Sequence, residues 1–280
     1  MSEPSVLVEM RDGTALVTLN RPARRNALDL AMRDGLAAAV DRVRDDDAIK
    51  AIVITGASGT FCAGGDLKAL RERDRNPSAG RDRIRRLHRW FHELVNLEKP
   101  VVAAVDGAAY GAGFNLALAA DFILCSPQAR FCQVFGRVGL VPDLGGFFLL
   151  PRIVGLQRAK ELVFSAREIG PEEALSLGIV YAIRPAETLT NEALALAERF
   201  HQAPTGAIGM AKNILNQSFH LDQRALAELE AYAQAVALSS DYAEAAMARF
   251  LAKAPPLFDW PNDKSVARPP ASKSGQRDGG

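Results

Sequence analysis

The chain is poor in the features that would commit it to several common functions. Its 280 residues include three cysteines (Cys62, Cys125 and Cys132), an odd count without metal-ligand spacing. Neither a disulfide framework nor a zinc site is expected from them. Net charge is scarce too: 34 basic side chains against 33 acidic ones leave a formal +1. No global field then favours nucleic acid or a membrane surface. No apolar run approaches the length of a membrane span, and acidic Glu3 and Glu9 stand where a secretory signal needs an apolar stretch. There is no short-period repeat. These absences make a cytoplasmic protein in a reducing compartment the expectation. What is present is ordinary globular composition, 48% hydrophobic and 24% charged, enough to bury a full core in one domain with appendages.

Local patterns predict an α/β core. Residues 6–8 and 15–19 read as two short strands around the Asp12-Gly13 turn, a hairpin signal. Asp29 is placed to cap a helix whose apolar stripe runs Met32, Leu36, Val40, Val43. The β-branched run 51–55 and the segment 101–105 after Pro100 read as strands buried on both faces. A glycine-rich loop and a helix follow each: 56–65 leads into 66–73, and 107–113 leads into 114–120. The arginine-rich stretch 71–89, with its Asn76-Pro77-Ser78-Ala79-Gly80 cluster, is expected to be a solvated loop between helices. Pro171 with Glu172 starts a short helix that Gly178 ends, and 205–250 is alanine-rich and helical.

The two glycine-rich loops carry the chemistry. Glycine permits positive φ and lets a ligand approach the main chain closely. Asp66 stands at a helix N-cap, so N–H groups just before it lack helical acceptors, and the second loop has the same character. Two such loops at the carboxyl ends of core strands can converge on one anion, such as an enolate oxygen. Gly107, Gly111 and Gly113 do not match the spacing G-x-G-x-x-G, and no acidic residue follows about twenty positions on, so a dinucleotide site is rejected. His88 and His92 have the i, i+4 spacing of a metal pair, but arginines surround them and no third ligand is evident.

Five segments together resemble the crotonase (enoyl-CoA hydratase/isomerase) superfamily. They are Asn20-Arg21-Pro22 with Asn26-Ala27-Leu28; Phe61-Cys-Ala-Gly-Gly-Asp-Leu67; Ala104-Val-Asp-Gly107 with Gly111-Ala-Gly113; 139–146 (GLVPDLGG); and 174–180 (ALSLGIV). The resemblance runs from about Val6 to Phe258. It implies an α/β fold built as a spiral of ββα turns, with a helical C-terminal trimerisation region. It also implies an acyl-CoA thioester substrate, with coenzyme A entering as part of that substrate and no tightly bound cofactor or metal. Domain expectations follow: 1–200 as the spiral core, 201–260 as the helical oligomerisation region of a homotrimer or dimer of trimers, and 261–280 as a disordered tail. Carried over position by position, the oxyanion donors are the amides of Ala63 and Ala112. Arg25, Ala27, Ala63, Asp66 and Leu67 would hold the coenzyme, with Gly111 and Phe135 also at the ligand. Arg24, Arg25 and Lys68 would screen its phosphates.

The departures from the family pattern favour one activity over another. Hydratases of the family position water with two glutamates; here the matching residues are Asn115 and Phe135, and neither can act as a general base. Asp143 falls where dienoyl-CoA and ring-epoxide isomerases of the superfamily carry a catalytic aspartate. Burial beside Phe135 and Leu144 is expected to raise its pKa. The resemblance therefore implies an isomerase before a hydratase. A hydratase with atypical water activation and a catalytically silent acyl-CoA-binding protein stand as alternatives.

Overall fold

The structure, a computed structural model, describes residues 3–72 and 76–260. Strands β1 (Val6–Arg11) and β2 (Thr14–Leu19) form the expected hairpin, closed through Asp12 and Gly13, both at positive φ. Helix α1 (Leu30–Asp45) begins at Asp29, whose carboxylate accepts from Met32 N–H at 2.9 Å, and its stripe Met32, Leu36, Val40, Val43 is buried. Next come β3 (Ala51–Gly56), α2 (Leu67–Arg71), α3 (Pro77–Val95), β4 (Val101–Val105), β5 (Ala108–Tyr110), α4 (Ala112–Leu118), β6 (Phe122–Cys125) and β7 (Arg130–Cys132). The remainder is α5 (Gly146–Val154), α6 (Leu156–Ser165), β8 (Glu168–Ile169), α7 (Pro171–Ser176), β9 (Ala182–Ile183), α8 (Leu189–Glu198), α9 (Thr205–Gln217), α10 (Gln223–Leu238) and α11 (Asp241–Leu251).

A six-stranded sheet runs β1-β2-β3-β4-β6-β9, parallel throughout except for the opening hairpin. A three-stranded sheet, β5-β7-β8, takes the strands that alternate with these in the chain, so successive turns feed two layers. The larger sheet is covered on both faces. Val17, Ile52, Ile54, Val101 and Ala103 belong to the core shared with α1 and α3. Leu16, Val53, Val102 and Leu124 pack with Leu189 and Leu196 of α8. Continuous apolar runs such as 51–55 are the consequence of that two-sided burial.

One expectation fails. Residues 77–89 are not a loop but most of α3, which starts at an Asn76 cap accepting from Ser78 N–H at 2.9 Å. Pro77 occupies the first helical position, where its missing N–H costs nothing. Arg81, Arg85, Arg86 and Arg89 are exposed and Arg83 is half-buried, while Leu87, Trp90, Phe91 and Leu94 form the buried stripe against α1. The C-terminal helices α9 to α11 are present as expected. Residues 261–280, expected to be disordered, lie outside the described residues. Among the described residues no helix is long and apolar enough to cross a membrane.

Candidate active site

The loop after β3 is held so that one of its amides is left over. Ala63 N–H donates to Arg25 O at 3.0 Å, Gly64 N–H faces the Cys62 sulfur, and Asp66 N–H reaches Leu28 O at 3.3 Å. Leu28 in turn donates to Gly64 O at 2.7 Å, so the short parallel bridge with Leu28 uses the groups flanking Gly65. In such pairing the central residue's own N–H points the other way, and Gly65 N–H makes no protein hydrogen bond. This corrects the assignment of Ala63 as the donor. Its amide already serves a carbonyl, and the one without an acceptor is two residues later.

The second loop presses against the first. Tyr110 N–H donates to Cys62 O at 2.9 Å and Gly111 N–H to Cys132 O at 2.8 Å. A methyl group added to Gly64 would stand 2.7 Å from the Tyr110 carbonyl and 3.6 Å from the Ala112 nitrogen, and one added to Gly113 would collide with the Cys62 carbonyl. Glycine is required at both places by this contact, and at Gly64 also by φ of +93°. Ala112 opens α4, so its N–H has no intrahelical acceptor. Gly65 and Ala112 border one cleft of about 1000 Å³.

Asp143 borders the same cleft and is the sole carboxylate among the described residues lining it. Its Oδ1 is buried without a hydrogen-bond partner. Burial pushes its pKa above the ordinary carboxylate value, while the positive charges of Arg83 and Arg33 and, less, His88 pull the other way. The opposing cations were not foreseen, because Arg83 and His88 sit on the segment read as a loop. As a helix, residues 83, 87 and 91 recur at four-residue spacing, which would have placed them on one face.

Asn115 is fully buried and does not line the cleft. Its amide donates to Asp143 O at 2.7 Å and its Oδ1 accepts from Gln133 Nε2 at 2.7 Å. Phe135 is buried with its ring edge against Gly111, closing the cleft beside Ala112. Tyr110 also borders the cleft. Burial, and then the bond of its hydroxyl to Glu168, raise its pKa to about 12, so it stays a neutral phenol.

Arg25, Leu67, Gly111 and Phe135 line the cleft. Ala27 and Asp66 do not. The Ala27 carbonyl accepts from Arg21 at 2.6 Å, and the Asp66 side chain caps α2 through Lys68 and Ala69 N–H and pairs with Arg21 at 3.3 Å. Residues 24 and 68 are exposed and do not border it. Among the described residues no group of three His, Cys, Asp or Glu side chains is placed to hold a metal.

Comparison with known proteins places this geometry among its relatives. A family model described as enoyl-CoA hydratase/isomerase matches residues 9–261. The chain is 36% identical over 262 residues to the 1,2-epoxyphenylacetyl-CoA isomerase of Escherichia coli, covering 90% of this chain and 97% of that one. It is 37% identical to a probable enoyl-CoA hydratase of Rhodobacter capsulatus, covering 92% and 99%. The crystal structure of an enoyl-CoA hydratase/isomerase from Cupriavidus metallidurans superimposes with a TM-score of 0.88 at 42% identity, covering 96% of this chain and 99% of that chain.

Proposed function

The chain belongs to the enoyl-CoA hydratase/isomerase family, whose enzymes act on CoA thioesters, and we propose that this member is an isomerase in which Asp143 relocates a proton on an enolate held by the amides of Gly65 and Ala112. The observation that carries this reading is that Asp143 is the sole carboxylate lining the cleft among the described residues. Two-carboxylate activation of water has no second group to use, and Phe135 stands in its place.

The steps follow from the site. The thioester oxygen accepts from Gly65 and Ala112 N–H. The ionised Asp143 takes a proton from a carbon next to the double bond, and the electron pair moves onto the thioester oxygen. Each preorganised amide stabilises that charge by about 2.7–4 kcal/mol. The carboxylic acid so formed returns its proton to a different carbon of the same conjugated system, which shifts the double bond and restores the carboxylate. No water is consumed. A raised pKa makes the carboxylate a stronger base for the first half, and the enolate, a stronger base than any carboxylate, draws the proton back in the second. Arg25 at the cleft, with exposed Arg24 beside it in sequence and exposed Lys68 next to cleft-lining Leu67, would meet the phosphates of coenzyme A.

The test is double-bond migration in 3-enoyl-CoA and dienoyl-CoA substrates, followed by absorbance of the conjugated thioester. Wild-type protein should isomerise at least one of them and Asp143→Asn should not. Full activity in Asp143→Asn, or water addition to crotonyl-CoA as fast as isomerisation, would sink the assignment.

Residues 1–200 act in this reading as the catalytic unit and 201–260 as the assembly unit. Helices α9 to α11 leave Phe219, Tyr232, Phe250 and Leu251 exposed, an apolar surface that association of copies as a trimer or dimer of trimers would cover. Light scattering tests the assembly; a monomer at micromolar concentration would refute it.

A further inference from the structure

Arg25, Arg33, Arg71, Arg81 and Arg83 line the cleft, with Asp143 the single carboxylate there among the described residues. Arg33 is the informative one. It projects from the second turn of α1 and lies where the cleft meets a side pocket of about 320 Å³ between α1, α2 and α3. Its Nε is buried without a hydrogen-bond partner, and its one bond among the described residues is a 3.3 Å contact from a terminal nitrogen to Leu28 O. Among the described residues no carboxylate forms an ion pair with it. Burial lowers its pKa despite the nearby charges of Asp143, Asp29 and Asp34, as for a cation removed from water and incompletely compensated.

A second orphaned donor belongs to a residue that lines the same side pocket. The indole Nε1 of Trp90 is buried and has no acceptor, although a buried indole N–H ordinarily finds one. The carboxylates that border the pocket do not supply it. Asp29 and Asp66 are both paired with Arg21, at 3.0 and 3.3 Å, and are occupied as the caps of α1 and α2; Asp34 makes no ion pair. Two residues that line this pocket, one of them a cation, thus each hold a buried donor with no acceptor among the described residues.

We infer that the acyl group of the substrate ends in a carboxylate that binds in the side pocket of Arg33 and Trp90. The substrate class is the monothioester of a dicarboxylic acid. The thioester end lies at Gly65 and Ala112, the reacting carbons lie at Asp143, and the far carboxylate accepts from Arg33. A guanidinium is suited to the task because its planar fork meets both oxygens of a carboxylate. The inference rests on the cleft being the acyl site, as the isomerase reading has it, but not on the reaction performed there.

Saturated thioesters separate the two, since they bind without isomerising. Calorimetric affinities would be measured for succinyl-, glutaryl- and adipyl-CoA against butyryl-, valeryl- and hexanoyl-CoA. At least one diacid thioester should bind about tenfold more tightly than its neutral counterpart at low salt, the gain of one charge-assisted contact. Arg33→Met and Arg33→Gln should each bring that ratio to about one, and Trp90→Phe should reduce it. The Gln variant keeps a donor without the charge and guards against loss of fold in the Met variant. Equal affinities across all pairs in the wild type, or a diacid preference that survives both Arg33 substitutions, would overturn the inference. A wild type that shows the diacid preference but isomerises none of the 3-enoyl- and dienoyl-CoA substrates would instead count against the catalytic assignment alone.

Discussion

The side-chain amide of Asn115 donates to the main-chain oxygen of Asp143 at 2.7 Å. Asn115 stands on α4, one turn from the Ala112 amide, so the helix that carries the proposed oxyanion donor also fixes the loop that carries the proposed base. Gly146, at the start of α5, is required by the same contact: a methyl group there would lie 2.5 Å from the Asn115 amide nitrogen. Asn115 is thus a positioning residue, acting through Asp143.

Asn115→Leu should destabilise the fold and slow the reaction together. It leaves the Asp143 carbonyl and the Gln133 amide without their partners in a buried place, which costs about 1–3 kcal/mol per unsatisfied group. Urea denaturation should show that loss, and kcat should fall about tenfold or more with a smaller change in KM. Unchanged kcat in a folded Asn115→Leu protein would remove its positioning role.

The rate should have an acidic limb set by Asp143. The base is active only when ionised, and burial raises its pKa above the ordinary 3.8. Activity is therefore lost as pH falls through the raised value, at a higher pH than a solvated aspartate would give. Arg33 favours the charged form, so Arg33→Met should move the limb to still higher pH. A limb that moves downward, or stays, in Arg33→Met would contradict the electrostatics of the site.

Gly64→Ala should abolish turnover by displacing both oxyanion donors. The added methyl group meets the Tyr110 carbonyl at 2.7 Å, and the main chain at position 64 is in a conformation that L residues avoid. Loss of two amide contacts at about 2.7–4 kcal/mol each would lower kcat/KM by more than a thousandfold. Wild-type kcat/KM in this variant would mean that the loop is not at the reacting oxygen.

The cysteines should be inert in the native protein. All three are buried, and burial pushes the Cys62 and Cys125 thiols up to about 12, so almost no thiolate exists at neutral pH. Titration with a disulfide reagent at pH 8 should detect no fast-reacting thiol until denaturant is added. Rapid labelling of Cys62 in the folded state would contradict the close packing of the two loops.

Legibility followed the range of the interactions. The hairpin at Asp12-Gly13, the Asp29 cap and the β-branched strand 51–55 were all readable, because turn chemistry, capping and two-sided burial leave marks within a few residues. Helix α3 is masked in the sequence, since its five arginines and the Asn76-Pro77 start look like a loop until Leu87, Trp90 and Leu94 are seen to face α1. Arg33 gave no signal at all, being one arginine among many on an amphipathic helix.

By itself the sequence determined that two glycine-rich loops follow adjacent core strands, that Asp143 is the candidate base, and that Phe135 stands where a second carboxylate would be. Only the tertiary structure decided which amide is available. Ala63 and Gly65 are both small residues in the same loop, and what separates them is that a carbonyl from the distant segment at Arg25 consumes one N–H while pairing with Leu28 turns the other outward. Local pattern shows where the chain can bend; a main-chain donor's partner is chosen by what the fold brings beside it.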